Sequence, residues 1–527
     1  MKDGIILVYA ATGEPVPEND RKKDCMIFGA GFAGMNYFAI ISQRYHVLAY
    51  VDNDPDLWGE IVMSLPVISL DELKTQAKDA DFDIVICVFY AHEEILRQLE
   101  QLHLNTNILR IKAIEFVWGD DASVIDEAVY QKKMDESRRK YLARKKEGAI
   151  CVVFMIHKLQ LFSSNESIYE EMLADERFEP VIVLTPRYFI QGTYQFYNYD
   201  DHLEAYMKKR GYEYRLAYQD GEWIDLYSLF PDGIFYQVPY TFPQLPSIYR
   251  EYHYMDHIKI IHTPYGVLPT NAPDALLTGM SGGYRQFLEN CWRLFLDKPN
   301  YDAFINDPQL APKIVLSGSP KVDFYVRGIK GADAYFKRDD SRKILYTPTW
   351  MVKKGRSSFV KYAGYFLKLL QNKSVELAVR PHPFLIPELE ASKLISKDEL
   401  DAILSAFREH TRCVFDLYGD YRSAILYSDF AVMDITSLAY EYLPTEKPLI
   451  LCMKEEDQFG VKKFIRDAAY VAYSEEQLEE YVAMLLAGED PKMGERTEIV
   501  HGLESLFPNE GSNGAFIKEY IAEWIRS

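Results

Sequence analysis

The chain has 527 residues with 59 basic and 79 acidic side chains, a formal net charge of −20, and hydrophobic and charged fractions of 48% and 26%. This acidity argues against a general nucleic-acid binder, because phosphate backbones are held by a basic field. The length predicts roughly three domains. The opening twenty residues lack the cationic and apolar stretches of a signal peptide, and no run approaches the ~18 apolar residues of a spanning helix. Six scattered cysteines with no C-x-x-C spacing predict neither a disulfide framework nor a zinc site. A cytoplasmic protein is expected, with membrane contact at most peripheral.

In chain order, a first unit begins with CMIF running into Gly29-Ala30-Gly31-Phe32-Ala33-Gly34, then a helical stretch to about 44 and the strand VLAYVDN. DIVICVF (83–89), the amphipathic EEILRQLEQL and NILRI follow. Strands alternating with helices on this scale predict a parallel, Rossmann-like sheet. Asp52 ends the second strand, 18 residues after Gly34. Gly29, Gly31, Gly34 and Asp52 thus have the context of a dinucleotide fingerprint, in which glycines admit a pyrophosphate and the acid takes a ribose hydroxyl. The plainer alternative is tight strand–helix packing in a domain with another role. The continuation Asp52-Asn-Asp-Pro, Trp58-Gly59 and LPVISLDEL resembles the small Rossmann-like domains attached to polysaccharide- and sugar-modifying enzymes. The ligand of this unit stays open.

Residues 131–148 hold eight Lys/Arg against three acids. With sparse apolar residues, this reads as an exposed, solvated linker helix; the competing reading is a basic stripe on anionic lipid. From 149 the α/β pattern restarts with AICVVFMI, PVIVLTP, GIFYQVP, IKIIHTP and PKIVLSGSP. It runs again through KILYTPTW, VELAVRPHP, DFAVMDITS and PLILCM. The expected division is 1–118, a linker at 119–148, then domains at 149–326 and 327–527. The C-terminal helix FIKEYIAEWI is expected to close the molecule.

Arg380-Pro381-His382-Pro383 ends an apolar strand, where open α/β sheets bind ligands. Arginine binds phosphate oxygens bidentately, and a neighbouring histidine donates to the same anion or moves a proton. Thr436 and Ser437 follow another strand and open a helix, whose free N–H groups attract an anion. Ordinary N-capping is the plain alternative. His157-Lys158, after the first strand of the second unit, is read either as lining a cleft or as structural.

The order TPTW (347–350), RPHP (380–383), SDFAVMDITSLAYEYL (428–443) and KPLIL (447–451) resembles the CDP-glycerol glycerophosphotransferase family that builds teichoic acids and capsule polymers. SGSPKVDFY (317–325) and IHTPYG (261–266) are similar to its upstream segments. The resemblance implies a GT-B fold of two Rossmann-like domains and transfer of glycerol phosphate from a CDP-polyol donor to a glycan or polyol-phosphate acceptor. CMP is released and no metal or other cofactor is required. It implies Arg380, His382, Thr436 and Ser437 as donor-phosphate ligands, Thr347 and Glu441 as further donor contacts, and His262 as the general base. Thr263 stands where the family has glycine, and Ile435-Thr436 where Tyr-Ser is usual. A nucleotide-sugar glycosyltransferase and an activity seated in the N-terminal unit are the competing readings.

Overall fold

The structure is a computed structural model. It describes the chain apart from residues 1–4, 13–15, 18–21, 31, 78–80, 88–91, 114, 118–122, 126, 145–146, 192–193, 240–243, 267–282, 329–334, 339, 354, 418–419, 458–460, 503–508 and 510.

Three sheets dominate, as the alternating pattern predicts. The first contains β1 (Ile5–Tyr9), β2 (Lys23–Phe28), β3 (Tyr45–Val51), β4 (Ile61–Val62), β5 (Leu65–Ile68), β6 (Phe82–Ile86) and β7 (Ile108–Ala113), in the order β1-β7-β6-β2-β3-β5-β4. Its centre is parallel, and β1 pairs antiparallel to β7. Short strands β8 (Glu115–Val117) and β9 (Ser123–Val124) follow.

The second sheet begins with β10 (Ile150–Ile156) and β11 (Phe178–Leu184). The hairpin β12 (Arg187–Gln191) and β13 (Tyr194–Asn198) departs from it and pairs with β8, joining the first unit to the second through a four-stranded sheet. Next come β14 (Tyr214–Leu216), a small hairpin of β15 (Tyr218–Gln219) and β16 (Glu222–Trp223), β17 (Gly233–Tyr236), β18 (Lys259–His262), β19 (Arg293–Leu296) and β20 (Ile314–Leu316). The main order, β14-β11-β10-β17-β18-β19-β20, is parallel throughout. Strand β10 is buried at every residue, which explains its unbroken ICVVFMI run.

The third sheet has β21 (Arg342–Thr347), β22 (Val375–Val379), β23 (Cys413–Phe415), β24 (Phe430–Met433), β25 (Leu449–Cys452) and β26 (Tyr470–Ala472), ordered β23-β22-β21-β24-β25-β26 and again parallel. The second and third sheets are the two Rossmann-like domains of the expected GT-B architecture.

Two expectations need correction. The basic segment belongs to a helix, Glu127–Ala143, that is not a solvated linker. Tyr130, Met134 and Tyr141 are buried in the second unit's core with Tyr227, Tyr249 and Tyr254. The Tyr141 hydroxyl donates to the carbonyls of Pro231 (2.9 Å) and His257 (3.1 Å). Spacing of four and seven residues puts these side chains on one stripe, so three of them dock a helix whose other faces are charged. Much of its positive charge is locally matched: Lys133 pairs with Glu222, Arg138 with Asp135, Lys140 with Glu136 and Arg144 with Asp232.

The C-terminal helix, Asn513–Trp524, does not stay with the third sheet either. Ile517, Ile521 and Ile525 are buried against Phe154, Phe235 and Phe295 of the second sheet. Its start is held by Asp323, whose carboxylate accepts the N–H groups of Asn513 (3.0 Å) and Gly514 (2.8 Å).

Candidate active site

In the second and third sheets the strand order reverses once, and ligands of open α/β sheets bind outside the carboxyl ends of the strands at that point. In the third sheet the reversal lies between β21 and β24. Thr347 ends the first of these strands, and Asp434-Ile435-Thr436-Ser437 leaves the second. Arg380 and His382 leave neighbouring β22. Backbone bonds stitch the three exits together: Asp434 N–H donates to Thr347 O (3.3 Å), Arg380 N–H to Tyr346 O (2.8 Å) and His382 N–H to Pro348 O (3.0 Å). Five of the donor residues predicted from the sequence therefore share one sheet edge.

Asp434 was missed by the sequence reading, although it lies inside a quoted motif. It is fully buried, and its Oδ2 accepts the N–H groups of Thr349 (2.7 Å) and Ser358 (3.0 Å). Burial pushes its carboxyl up to about 7. Its Oδ1, the Thr347 Oγ1 and the Thr436 Oγ1 are buried atoms with no hydrogen-bond partner among the described residues. Buried polar atoms are ordinarily paired, so three orphans at one edge mark a place for a polar ligand.

His382 accepts the Phe384 N–H at Nδ1 (3.2 Å), which leaves its proton on Nε2. Burial lowers its pKa to about 4, so the ring is a neutral donor at physiological pH. Trp350 and Phe384 flank it, with ring centroids 6.1 and 5.4 Å away. Arg380 is 8% exposed, ion-paired with Asp416 and set over the Tyr421 ring at 5.6 Å. Asp416 also accepts the Tyr335 hydroxyl (2.7 Å), so the guanidinium is held from behind.

Glu441 is placed differently from expectation. Its carboxylate is 2% exposed and takes Lys321 Nζ (2.9 Å) on one oxygen and the Tyr421 hydroxyl on the other. Burial opposes the charge on Lys321, but Glu441 outweighs it and holds the ammonium above its ordinary range. The Tyr421 hydroxyl also meets Ser163 Oγ (3.1 Å). Glu441 is thus a clamp between the two domains, with both oxygens used, rather than a donor contact.

His262 ends β18 and is 1% exposed. Its Nδ1 lies 3.4 Å from the Tyr236 carbonyl, its ring stands near-perpendicular to Phe287, and burial lowers its pKa to about 4. Thr263, in place of the family's glycine, is locked by Asn165 Nδ2 (2.8 Å) and the Ser164 carbonyl (3.2 Å). Four residues past His262 the chain reaches the other domain: a methyl group on Gly266 would lie 3.8 Å from Cβ and Oγ of Ser437. The exit of β18 and the Thr436-Ser437 turn therefore face each other directly.

The Gly-rich turn of the first unit has its own logic. Gly29 adopts φ 104°, and a Cβ on Gly34 would fall 1.9 Å from the Gly29 carbonyl oxygen. Asp52 accepts the N–H groups of Ala30 (2.7 Å) and Asp54 (3.0 Å), one on each carboxylate oxygen. These contacts account for Gly29, Gly34 and Asp52 through folding alone. Gly31 lies outside the described residues.

Residues 307–476 match the family described as CDP-Glycerol:Poly(glycerophosphate) glycerophosphotransferase. The resemblance read from the motifs holds over that stretch, which contains Thr347, Arg380, His382, Asp434, Thr436 and Ser437. Residues 21–109 match a family described as C2185-like, N-terminal. Among solved structures, the wall teichoic acid polymerase TagF is similar at 14% identity, covering 76% of this chain and 95% of that one with a TM-score of 0.49. A TagF variant soaked with CDPG gives 15%, 76%, 96% and 0.49. MnaA from S. aureus, solved with UDP, gives 10%, 72%, 97% and 0.48. No curated protein matches the chain. Among the described residues, no helix is long and apolar enough to cross a membrane.

Proposed function

We propose that the chain transfers glycerol phosphate, or a related polyol phosphate, from a CDP-activated donor to a hydroxyl of a glycan or growing polymer and releases CMP. The observation that carries this reading is the coincidence of the glycerophosphotransferase match with three orphaned buried polar atoms beside Arg380 and His382. In this reading the acceptor oxygen forms a bond to the phosphorus that bears the polyol, and the bond from that phosphorus to the CMP oxygen breaks. Arg380, the His382 Nε2–H and the hydroxyls of Thr436 and Ser437 neutralise the diphosphate. His262 takes the hydroxyl proton at Nε2 while its Nδ1–H donates to Tyr236 O. Its low pKa keeps that lone pair available at neutral pH. In this reading the chain works in the cytoplasm, peripheral at the inner face of the membrane.

The test is a thermal-shift panel on the full chain with CDP-glycerol, CDP-ribitol, CMP, UDP-sugars and NAD. A ligand at 100 times its Kd adds about 2.7 kcal/mol to the state that binds it. A shift with CDP-polyols that disappears in His382→Ala supports the reading. A shift with UDP-sugars or NAD alone overturns it.

A further inference from the structure

The proposed donor anchor Arg380 and the proposed base His262 lie on different domains, and one buried side chain has contacts toward both. Tyr421 immediately precedes the helix Arg422–Tyr427 of the third sheet's domain. Its ring lies under the Arg380 guanidinium, 5.6 Å from Cζ to the centroid, and Asp416 pairs with the same guanidinium. A ring and a charge together set where Arg380 points. The Tyr421 hydroxyl donates to Glu441 Oε2 (2.5 Å) and accepts from Lys321 Nζ (2.9 Å), with Ser163 Oγ at 3.1 Å as a third partner. One proton and two lone pairs are the whole capacity of a phenol, so this hydroxyl is fully used. Burial and Glu441 push its pKa up to about 12, which keeps the proton in place.

Ser163 begins a buried tripeptide of the second domain, Ser163-Ser164-Asn165, whose far end holds Thr263. Asn165 Nδ2 donates to Thr263 Oγ1 (2.8 Å), and the Thr263 hydroxyl donates to the Ser164 carbonyl (3.2 Å). Thr263 is fully buried and directly follows His262. Covalent and hydrogen bonds therefore run without a break from the ring under Arg380 to the backbone beside His262. A glycine at 263, which the family resemblance leads one to expect, has no side chain to enter this path. The departure from the motif supplies its last link. The residues that follow each partner meet as well: Arg422 after Tyr421 and Glu166 after Asn165 form an ion pair at 2.7 Å. That pair and the one between Lys321 and Glu441 hold the two domains together beside the bridge without needing it.

We propose that Tyr421 is a positioning residue for both halves of the reaction: its ring seats Arg380 against the donor diphosphate, and its hydroxyl, through Ser163–Asn165 and Thr263, fixes the strand exit that presents His262. This rests on the transferase reading above. In-line transfer needs the attacking oxygen and the phosphorus held in one geometry, and small misplacements cost large factors in rate. A bridge between anchor and base sets that geometry across the domain boundary. Ring and hydroxyl then have separable effects, the first on donor affinity and the second on turnover.

The test is calorimetric affinity for CDP-glycerol on the full chain, paired with the rate of CMP release at saturating CDP-glycerol with glycerol as the hydroxyl probe. Tyr421→Phe keeps the ring, so affinity should stay within about twofold while CMP release slows by about ten- to a hundredfold. Thr263→Val, at the far end of the bridge, should give the same split. The double variant should be no slower than the slower single, because both cut one path. Tyr421→Leu removes the ring too and should weaken CDP-glycerol by about three- to tenfold, an effect that vanishes in an Arg380→Ala background. Normal turnover in Tyr421→Phe overturns the bridge, and so do losses that multiply in the double variant. Affinity lost in Tyr421→Phe overturns the division between ring and hydroxyl. Tyr421→Leu that binds as tightly as Tyr421→Phe, or weakens equally with and without Arg380, overturns the seat for Arg380. Retained affinity shows that Tyr421→Phe and Thr263→Val fold, so the bridge is tested whether or not Tyr421→Leu folds. Absence of CDP-glycerol binding or of CMP release in the unaltered protein fails the transferase reading instead, separately from the bridge.

Discussion

Arg422 Nη1 and Glu166 Oε2 meet at 2.7 Å with both side chains essentially sealed from water, and the pair joins the third sheet's domain to the second's. Around it, Glu166 also takes Arg210 Nε (3.2 Å) and the hydroxyls of Tyr206 (2.7 Å) and Tyr212 (2.9 Å). Arg422 reaches Asp420 (2.8 Å) and covers the Phe324 ring at 4.1 Å. Breaking one side leaves a buried charge with no counterpart. Glu166→Gln is expected to destabilise by about 3–5 kcal/mol, whereas Glu166→Met combined with Arg422→Met should recover much of the loss. Urea denaturation of the three variants checks this, and equal losses in the single and double variants would refute it.

Donor binding and proton removal should separate by variant. Arg380→Ala and His382→Ala are expected to weaken CDP-glycerol binding at least tenfold, since each deletes a donor to the diphosphate. His262→Ala should leave that affinity in place while turnover drops by about 10²–10⁴. Calorimetry paired with CMP release measures both, and normal turnover in His262→Ala would end its assignment as base.

Two buried groups should tilt the acid limb of stability in opposite directions. His262 titrates near 4 in the folded protein and near 6.5 when unfolded. Between those values the unfolded chain holds a proton that the fold refuses, so acidification costs about 1.4 kcal/mol per pH unit. Asp434 is raised to about 7, so from there down to about 3.8 the folded state holds the extra proton and acidification stabilises. His262→Asn is therefore expected to flatten the loss of stability between pH 6.5 and 4. Asp434→Asn is expected to steepen it. Denaturation midpoints at half-unit pH steps read both slopes.

In the first unit, Gly34→Ala is expected to be far worse than an ordinary helix substitution. Its methyl would fall 1.9 Å from the Gly29 carbonyl oxygen, so the helix Phe32–Arg44 or the turn before it must shift. A loss of about 1–3 kcal/mol or more should appear in the unfolding of residues 5–113. CDP-glycerol binding, which the proposed function seats beyond residue 340, should persist. Hydrogen exchange resolves the two regions.

The fold was largely legible because β10, β22 and β24 read as apolar runs that end in turn residues, and the exits of the last two carry Arg380, His382 and Thr436. Asp434 was not legible as a loop organiser. Its partners Thr349 and Ser358 are 85 and 76 residues away, and sequence spacing holds no record of that return. Glu441 misled for a similar reason: helical position says nothing about Lys321, 120 residues upstream, which claims its carboxylate. The helix Glu127–Ala143 hid its docking face because three residues, Tyr130, Met134 and Tyr141, suffice to bury it. The strand-end orphans could not be seen at all, since an unpartnered hydroxyl is defined only by surroundings.

The return of the helix Asn513–Trp524 to the second sheet has a consequence for biosynthesis. Strands β10, β17 and β19 are translated long before Ile517, Ile521 and Ile525, which cover Phe154, Phe235 and Phe295. Throughout synthesis of the whole third sheet, the nascent second domain carries an uncovered apolar groove. Its folding therefore finishes only after this helix has emerged from the ribosome, and until then the groove is a seat for a chaperone.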